Sequence, residues 1–166
     1  MPVYGQVNAF ELTERSGKPM TEQDLRNRVW VAGLIFTSCP SQCPLMIQSM
    51  LRVQNDLKLK GNFRMVAISV DPENDTPEKL KAYADQVGAH PKQFLFLTGD
   101  KEAVQRLGRD DFKLSSVEKI EGEIVHSSKL VLVDGLGRVR GYFEASDPSE
   151  VKNLIRAARK LLRESF

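Results

Sequence analysis

Cysteine and histidine are both scarce in this chain, with two of each in 166 residues. A chain of this length buries an adequate core without a disulfide framework, so the cysteines are free for chemistry. An excess of charge is also missing. Lys and Arg number 24 against 22 Asp and Glu, and the two signs are interspersed, which gives neither a stripe for nucleic acid nor a polybasic patch for a membrane. No apolar segment approaches the roughly 20 residues of a membrane span. Met1-Pro2-Val3-Tyr4-Gly5 does not read as a signal peptide, which leaves a cytosolic protein or a chain that begins after an anchor has been removed. Internal repeats and low-complexity tracts are absent.

What the chain does have is Ile35-Phe36-Thr37-Ser38-Cys39-Pro40-Ser41-Gln42-Cys43-Pro44, where both cysteines follow an apolar run and precede a helical pattern. Residues four apart share a helix face, so Cys39 and Cys43 can point the same way. Their Cα atoms would be roughly 6 Å apart, close enough to close a disulfide reversibly or to share a metal. A strand-to-helix turn aims unpaired N–H groups and the positive dipole end at the sulfurs, favouring thiolate, which is both nucleophile and ligand. Pro40 and Pro44 suit positions before a helix and in its first turn.

Along the chain, Val7–Leu12 reads as a strand that turns at Arg15-Ser16-Gly17-Lys18 into Pro19-Met20, an N-terminal hairpin. Thr21 with Asp24 caps a short turn through Arg26. Val29–Phe36 is continuously apolar, as a central strand covered on both faces would be. Met46, Met50, Val53 and Leu57 mark the buried face of the next helix, which ends before Gly61. Phe63–Val70 is a second apolar strand, and Asp71-Pro72-Glu73-Asn74-Asp75 a polar loop at its end. Thr76-Pro77 opens a helix with Leu80, Tyr83, Ala84 and Val87 inward, stopped by Gly88. A strand over Phe94–Leu97 precedes a helix capped by Asp100. Residues 109–123 show no clean period and read as a surface excursion with a hairpin. Leu130–Val133 and Val139–Phe143 flank the turn Asp134-Gly135-Leu136-Gly137. Asp147-Pro148-Ser149-Glu150 reads as a capping box for a last helix on Val151, Leu154, Ile155, Ala158 and Leu162.

This order predicts an α/β fold in one domain spanning 1–166, with a mostly parallel sheet, helices on both faces and antiparallel strands from the late hairpin. Ligands on such sheets collect at the carboxyl ends of the strands, where the Cys39 and Asp71 loops both lie.

Of the two histidines, His90 sits between a helix and Pro91 and reads as a solvated loop residue. His126 immediately precedes a core strand, where capping a strand end and ligating a metal both remain open. Two thiolates and one imidazole would form a soft donor set suited to copper in either oxidation state or to zinc. Met46 and Met50 share the phase of Val53 and Leu57 and read as core rather than as thioether ligands. Asp71, Glu73 and Asp75 read as a solvated, helix-capping loop rather than a hard-cation cluster.

Phe36-Thr37-Ser38-Cys39-Pro40-Ser41-Gln42-Cys43-Pro44, Ile68-Ser69-Val70-Asp71-Pro72-Glu73-Asn74-Asp75-Thr76-Pro77, and His126-Ser127 followed by Leu130–Asp134 and Gly137 together resemble the SCO/SenC family, thioredoxin-like copper proteins of cytochrome c oxidase assembly. The resemblance runs from Phe10 to Leu162. It implies a thioredoxin-like fold, a central mixed sheet flanked by helices with the N-terminal hairpin (1–20) as an extension, and Cys39, Cys43 and His126 as copper ligands. It also implies a metallochaperone whose partner is the copper-containing subunit of cytochrome c oxidase or another copper chaperone. The expected location is the periplasm or mitochondrial intermembrane space, tethered by an N-terminal anchor. Ser41-Gln42 and Val125 stand where the family often carries acidic residues, and both departures remove negative charge near the site. The alternative is a thiol-disulfide oxidoreductase in which Cys39 attacks a partner and Cys43 resolves. A peroxidase is disfavoured for want of a threonine-cysteine-arginine constellation. A purely structural disulfide is disfavoured because so small a loop removes little unfolded-chain entropy.

Overall fold

The computed structural model describes residues 1–38, 42–58, 60–114, 119–120, 123–124 and 127–164, and for 42, 43, 119, 120, 123 and 124 it describes the backbone alone. Its centre is β4 (Val29–Ile35), with all seven residues buried. β4 pairs in parallel with β5 (Phe63–Ser69), from Val29↔Phe63 to Ile35↔Ser69, and β5 pairs in parallel with β6 (Phe94–Thr98). On its other side β4 pairs antiparallel with β9 (Lys129–Val133), setting Trp30 against Val133 and Ala32 against Val131. β10 (Arg138–Glu144) completes the late hairpin with β9, and β1 (Gly5–Gln6) pairs with β10 at that edge. At the opposite edge β2 (Glu11–Glu14) joins β6 and carries β3 (Pro19–Thr21) outermost, so the mixed sheet runs β1-β10-β9-β4-β5-β6-β2-β3. The N-terminal hairpin is therefore part of the main sheet.

Each face of β4 has its own core. Val29, Val31 and Ile35 face α1 (Gln42–Leu57), α2 (Pro77–Val87) and α4 (Pro148–Leu162), whose buried residues include Met46, Met50, Leu80, Leu154 and Ala158. Trp30, Ala32 and Leu34 face Val104 of α3 (Lys101–Arg106), Leu107, Phe112 and the 3-10 turn Glu22–Leu25. A Cβ on Gly33 would lie 3.0 Å from Met50 Cε and 3.1 Å from Leu130 Cδ2. Glycine there lets α1 settle closely against the strand. Local signals hold where a cap was read. Thr21 and Asp24 form the reciprocal box, Thr76 accepts from Lys79 N–H at 3.2 Å, and Gly88 ends α2 at φ +80°, a conformation that glycine adopts without steric cost.

Four expectations are corrected. Val7–Leu12 is not one strand, because Val7 and Phe10 are both buried at a spacing that a strand cannot point one way, and the Asn8 N–H and amide donate to Asp111 at 3.1 and 2.9 Å in place of ladder bonds. The surface excursion divides. Its first part continues α3 as a π-turn over Leu107–Asp111, and Asp111, Phe112 and Leu114 are buried, with Phe112 edge-on to Trp30 at 6.0 Å. The expected hairpin forms from β7 (Lys119–Ile120) and β8 (Glu123–Ile124), while 115–118, 121 and 122 lie outside the described residues. Asp147 caps α4 through Ser149 N–H at 2.9 Å, but Glu150 accepts from Glu144 N–H at 3.1 Å instead of closing a box. Leu161, not Leu162, is the fully buried residue of the last turn.

The β9–β10 turn is built on the fully buried Asp134. Its carboxylate accepts from Leu136 and Arg138 N–H at 2.9 and 3.0 Å, from Arg138 Nε at 2.8 Å and from Arg140 Nη1 at 2.8 Å. Arg140, at an irregularity in the β10 register, also donates to the Met1 and Pro2 carbonyls, pinning the N-terminal segment. Burial pushes the Asp134 carboxyl upward, and the bonds from Arg140, Arg138 and Leu136 outweigh that, holding it below its ordinary value. A folded carboxyl that titrates lower than the unfolded one contributes stability above about pH 4 that is lost as pH falls through the folded value. Urea denaturation should show Asp134→Ala less stable than wild type by about 3 kcal/mol or more at neutral pH. The gap between wild type and Asp134→Asn should close below about pH 4. A gap independent of pH would contradict this role.

Candidate functional site

Parallel pairing puts the carboxyl ends of β4, β5 and β6 at one edge of the sheet. The antiparallel register of β9 brings its beginning to that same edge, beside the end of β4. Three segments meet there: the chain leaving β4 through Phe36, Thr37 and the exposed Ser38, the loop leaving β5 through Val70–Thr76, and Ser127-Ser128 entering β9. α1 begins at the first of these, with Gln42 and Cys43 as its opening residues and no acidic side chain in its first turn. The positive end of its dipole is therefore not countered by a carboxylate of its own first turn. Cys39 and His126 lie outside the described residues, and Cys43 is described as backbone in α1. The chain on either side of each is what the geometry reports.

Glu73 and Asn74 of the Asp71–Asp75 loop are exposed as expected, but its two aspartates are not solvated. Asp75 is 1% exposed and Asp71 5%. The Asp75 carboxylate accepts from the Thr37 N–H at 3.1 Å, the Thr37 hydroxyl at 2.5 Å and the Ser69 hydroxyl at 2.7 Å. It thus ties the end of β5 to the residue two before Cys39. Asp71 is engaged separately, accepting from the Asn74 amide at 2.8 Å while its own N–H donates to Ser69 Oγ at 3.1 Å. These carboxylates are committed to holding the loops, which is what their burial serves. A sequence signal for Asp75 did exist: Thr76 already serves as the cap of α2, leaving the aspartate before it surplus, and Ser69 is a lone hydroxyl inside an apolar strand.

The segment after His126 is held just as firmly. Ser128 donates to Glu144 at 2.9 Å, Lys129 Nζ lies 3.6 Å from the same carboxylate, and Ser146 donates to its other oxygen at 3.0 Å. The Ser128 carbonyl accepts from Ala145 N–H at 3.1 Å, and the Ala145 carbonyl accepts from Ser49 Oγ of α1 at 2.6 Å. Ala145 therefore links the helix that carries Cys43 to the strand that follows His126. Met46 and Met50 are 1% and 0% exposed and pack in the core, as their helical phase predicts. His90 is an exposed loop residue whose Nδ1 accepts from the Lys92 and Gln93 N–H groups, both at 3.1 Å, a local structural task away from the sheet edge.

Asp75→Ala would strand two hydroxyls and a backbone N–H that now share one buried carboxylate. Hydrogen bonds to a charged group are worth about 1.5–3 kcal/mol, so denaturant unfolding should show a loss of about 2–3 kcal/mol. A change within about 0.5 kcal/mol, the range of ordinary surface substitutions, would mean that the carboxylate does not hold the loop.

Comparison with known proteins bears on the whole of this arrangement. The SCO1/SenC family model matches residues 4–163. A chain from Stutzerimonas stutzeri, named as a candidate copper-binding protein, is 29% identical and covers 98% of this chain and 79% of that one. Among solved structures, a SCO1/SenC family lipoprotein from Bacillus anthracis superposes with a TM-score of 0.86 at 31% identity, over 95% of both chains. BsSco, described with a disulfide switch and as one of the Sco family of cytochrome c oxidase assembly proteins, has a TM-score of 0.86 at 28% identity, over 98% of this chain and 97% of its own. With its mixed sheet, its flanking helices and its sequence matched almost end to end, this chain belongs to the SCO1/SenC family.

Proposed function

We propose that this protein, as a single thioredoxin-like domain, carries copper on Cys39, Cys43 and His126 and passes it to the dinuclear copper centre of cytochrome c oxidase. The observation that carries the reading is the opposed pairing of β4. Parallel to β5 and antiparallel to β9, it gathers the segments that flank the cysteines and the histidine at one sheet edge. Two thiolates and an imidazole fit copper by their softness, and a three-coordinate site suits copper(I), the form that exchanges through shared thiolate intermediates. The candidate copper-binding relative supports the cargo and the oxidase-assembly description of BsSco the destination, the partner being the copper-containing oxidase subunit or another copper chaperone. The lipoprotein relative supports a periplasmic, anchored location, and the mitochondrial intermembrane space is its counterpart in organelles. Ser41-Gln42 and Val125 carry no charge, so the site holds copper(II) less tightly than an acidic one would.

A second reading is favoured by one observation, the disulfide switch described for BsSco. On it, Cys39 attacks a disulfide in the partner, Cys43 displaces the partner's thiol from the mixed disulfide, and the Cys39–Cys43 disulfide that results accounts for the two electrons delivered. Histidine has no necessary part in that exchange.

Anaerobic titration of the reduced protein with copper(I) separates the two. Wild type should bind one equivalent, Cys39→Ala should lose that affinity by orders of magnitude, and His126→Ala should bind more weakly by at least the roughly tenfold that loss of even an outer partner of a metal ligand costs. Equal binding by all three proteins would end the copper reading and leave dithiol exchange.

A further inference from the structure

Charges that are interspersed along the chain are gathered by the fold. Between α1 and α4, on the outer surface of the helical layer, runs a groove of about 310 Å³. Arg52 and Asp56 line it from α1, and Lys152, Arg156, Arg159 and the C-cap Arg163 from α4, over a floor of Ile155. Five cations against one carboxylate leave a net +4 there in a chain whose total is +2, so the remainder of the molecule is negative by two. Arg52 is separated by a hundred residues from Lys152, which is why reading the charges in order shows no patch. Among the described residues, none of the five forms an ion pair, and the one side-chain bond they make is from Arg156 to Asn153 at 3.3 Å.

The groove is basic without being apolar. Ile155 is 3% exposed, and among the described residues the exposed large apolar ones, Met1, Val3, Tyr4, Leu45 and Leu136, all lie elsewhere. Specific protein interfaces bury an apolar centre, and the described residues of this surface offer none. An anionic bilayer surface asks only for a cluster of about 4–8 Lys and Arg side chains, each adding to the attraction, and its binding is screened by salt. Direction matters as well. α1 starts at the cysteine segment, and Arg52 and Asp56 stand ten and fourteen residues further on, about 15–21 Å along the helix. α4 leaves the same end, next to Ala145, and runs alongside.

We propose that the α1–α4 groove is an electrostatic docking surface for an anionic phospholipid bilayer, one that leaves the cysteine end of the sheet free for its partner. The test is co-sedimentation of the full chain with phosphatidylcholine vesicles, with and without phosphatidylglycerol. Wild type is compared with Arg156→Gln/Arg159→Gln/Arg163→Gln and with a control of equal charge change at exposed sites elsewhere, Lys18→Gln/Lys92→Gln/Lys101→Gln. The proposal expects wild type to partition onto the phosphatidylglycerol vesicles at low salt and to release at about 1 M salt, where screening acts over about 3 Å. The groove variant should partition at least about tenfold more weakly, and the control within about twofold of wild type. Three outcomes overturn it: no partition by wild type, which would leave the groove to an acidic protein; equal loss in both variants, which would make net charge the cause; or binding that persists at high salt or on phosphatidylcholine alone, which would make it apolar.

Discussion

β4 is pulled into register from both sides, in parallel by Phe63–Ser69 and antiparallel by Val131–Val133, and the placement of every segment around the site follows from that opposition. Had both neighbours run parallel, the beginning of β9 would lie at the far end of the sheet, a strand's length from the end of β4. Burial of all seven β4 residues makes the register hard to slip, since a shift by one residue would exchange the two faces and drive Trp30 into the space of Val31. Gly33 adds a further condition, because Met50 of α1 occupies the room where a side chain would be. The helix that begins at the cysteines is thereby docked on the strand that leads to them.

Around this frame the polar residues at the sheet edge divide the work of holding loops in place. Asp75 fastens the exit of β4 to the end of β5, while Glu144 and Ala145 fasten the entrance of β9, Ala145 reaching on to Ser49 of α1. Both sets join different elements, and apart from Lys129 each partner is a backbone group or a short hydroxyl that has few alternative rotamers. A metal carrier benefits from such an edge. In such a carrier the donors must sit near the surface to hand over their cargo, so rigidity has to come from the residues behind them, as outer partners orient the ligands of metal sites. The same scaffolding would serve dithiol exchange, which also needs one exposed sulfur and a second held within reach.

Much of this was legible in the residues before any geometry. Apolar runs gave β4 and β5, the phase of Met46, Met50, Val53 and Leu57 gave the buried face of α1, and Thr76-Pro77 and Gly88 bounded α2, because each is a local signal that tertiary packing reinforces. Asp75 was misread since exposure is set by what folds over a loop: Thr76 and Ser69 hint that the carboxylate has another task, but its partner Thr37 is distant in the chain. Asp111 and Phe112 were misread for the same reason: Asn8 and Trp30, their partners, are distant in the chain. The α1–α4 groove was invisible because its charges belong to two helices that meet only in the folded state. The residues of the proposed copper site were singled out from spacing and family resemblance, and the fold contributes the meeting of their flanking segments.

The central claim is that Cys39, Cys43 and His126 act on one metal ion, and a copper(II)-loaded absorption spectrum tests it most directly. Wild type should show sulfur-to-copper charge transfer that is abolished in Cys39→Ala and Cys43→Ala and displaced or lost in His126→Ala. A spectrum left unchanged by removal of the imidazole would contradict the account, since the histidine would then stand apart from the sulfurs and the shared sheet edge would have no bearing on copper.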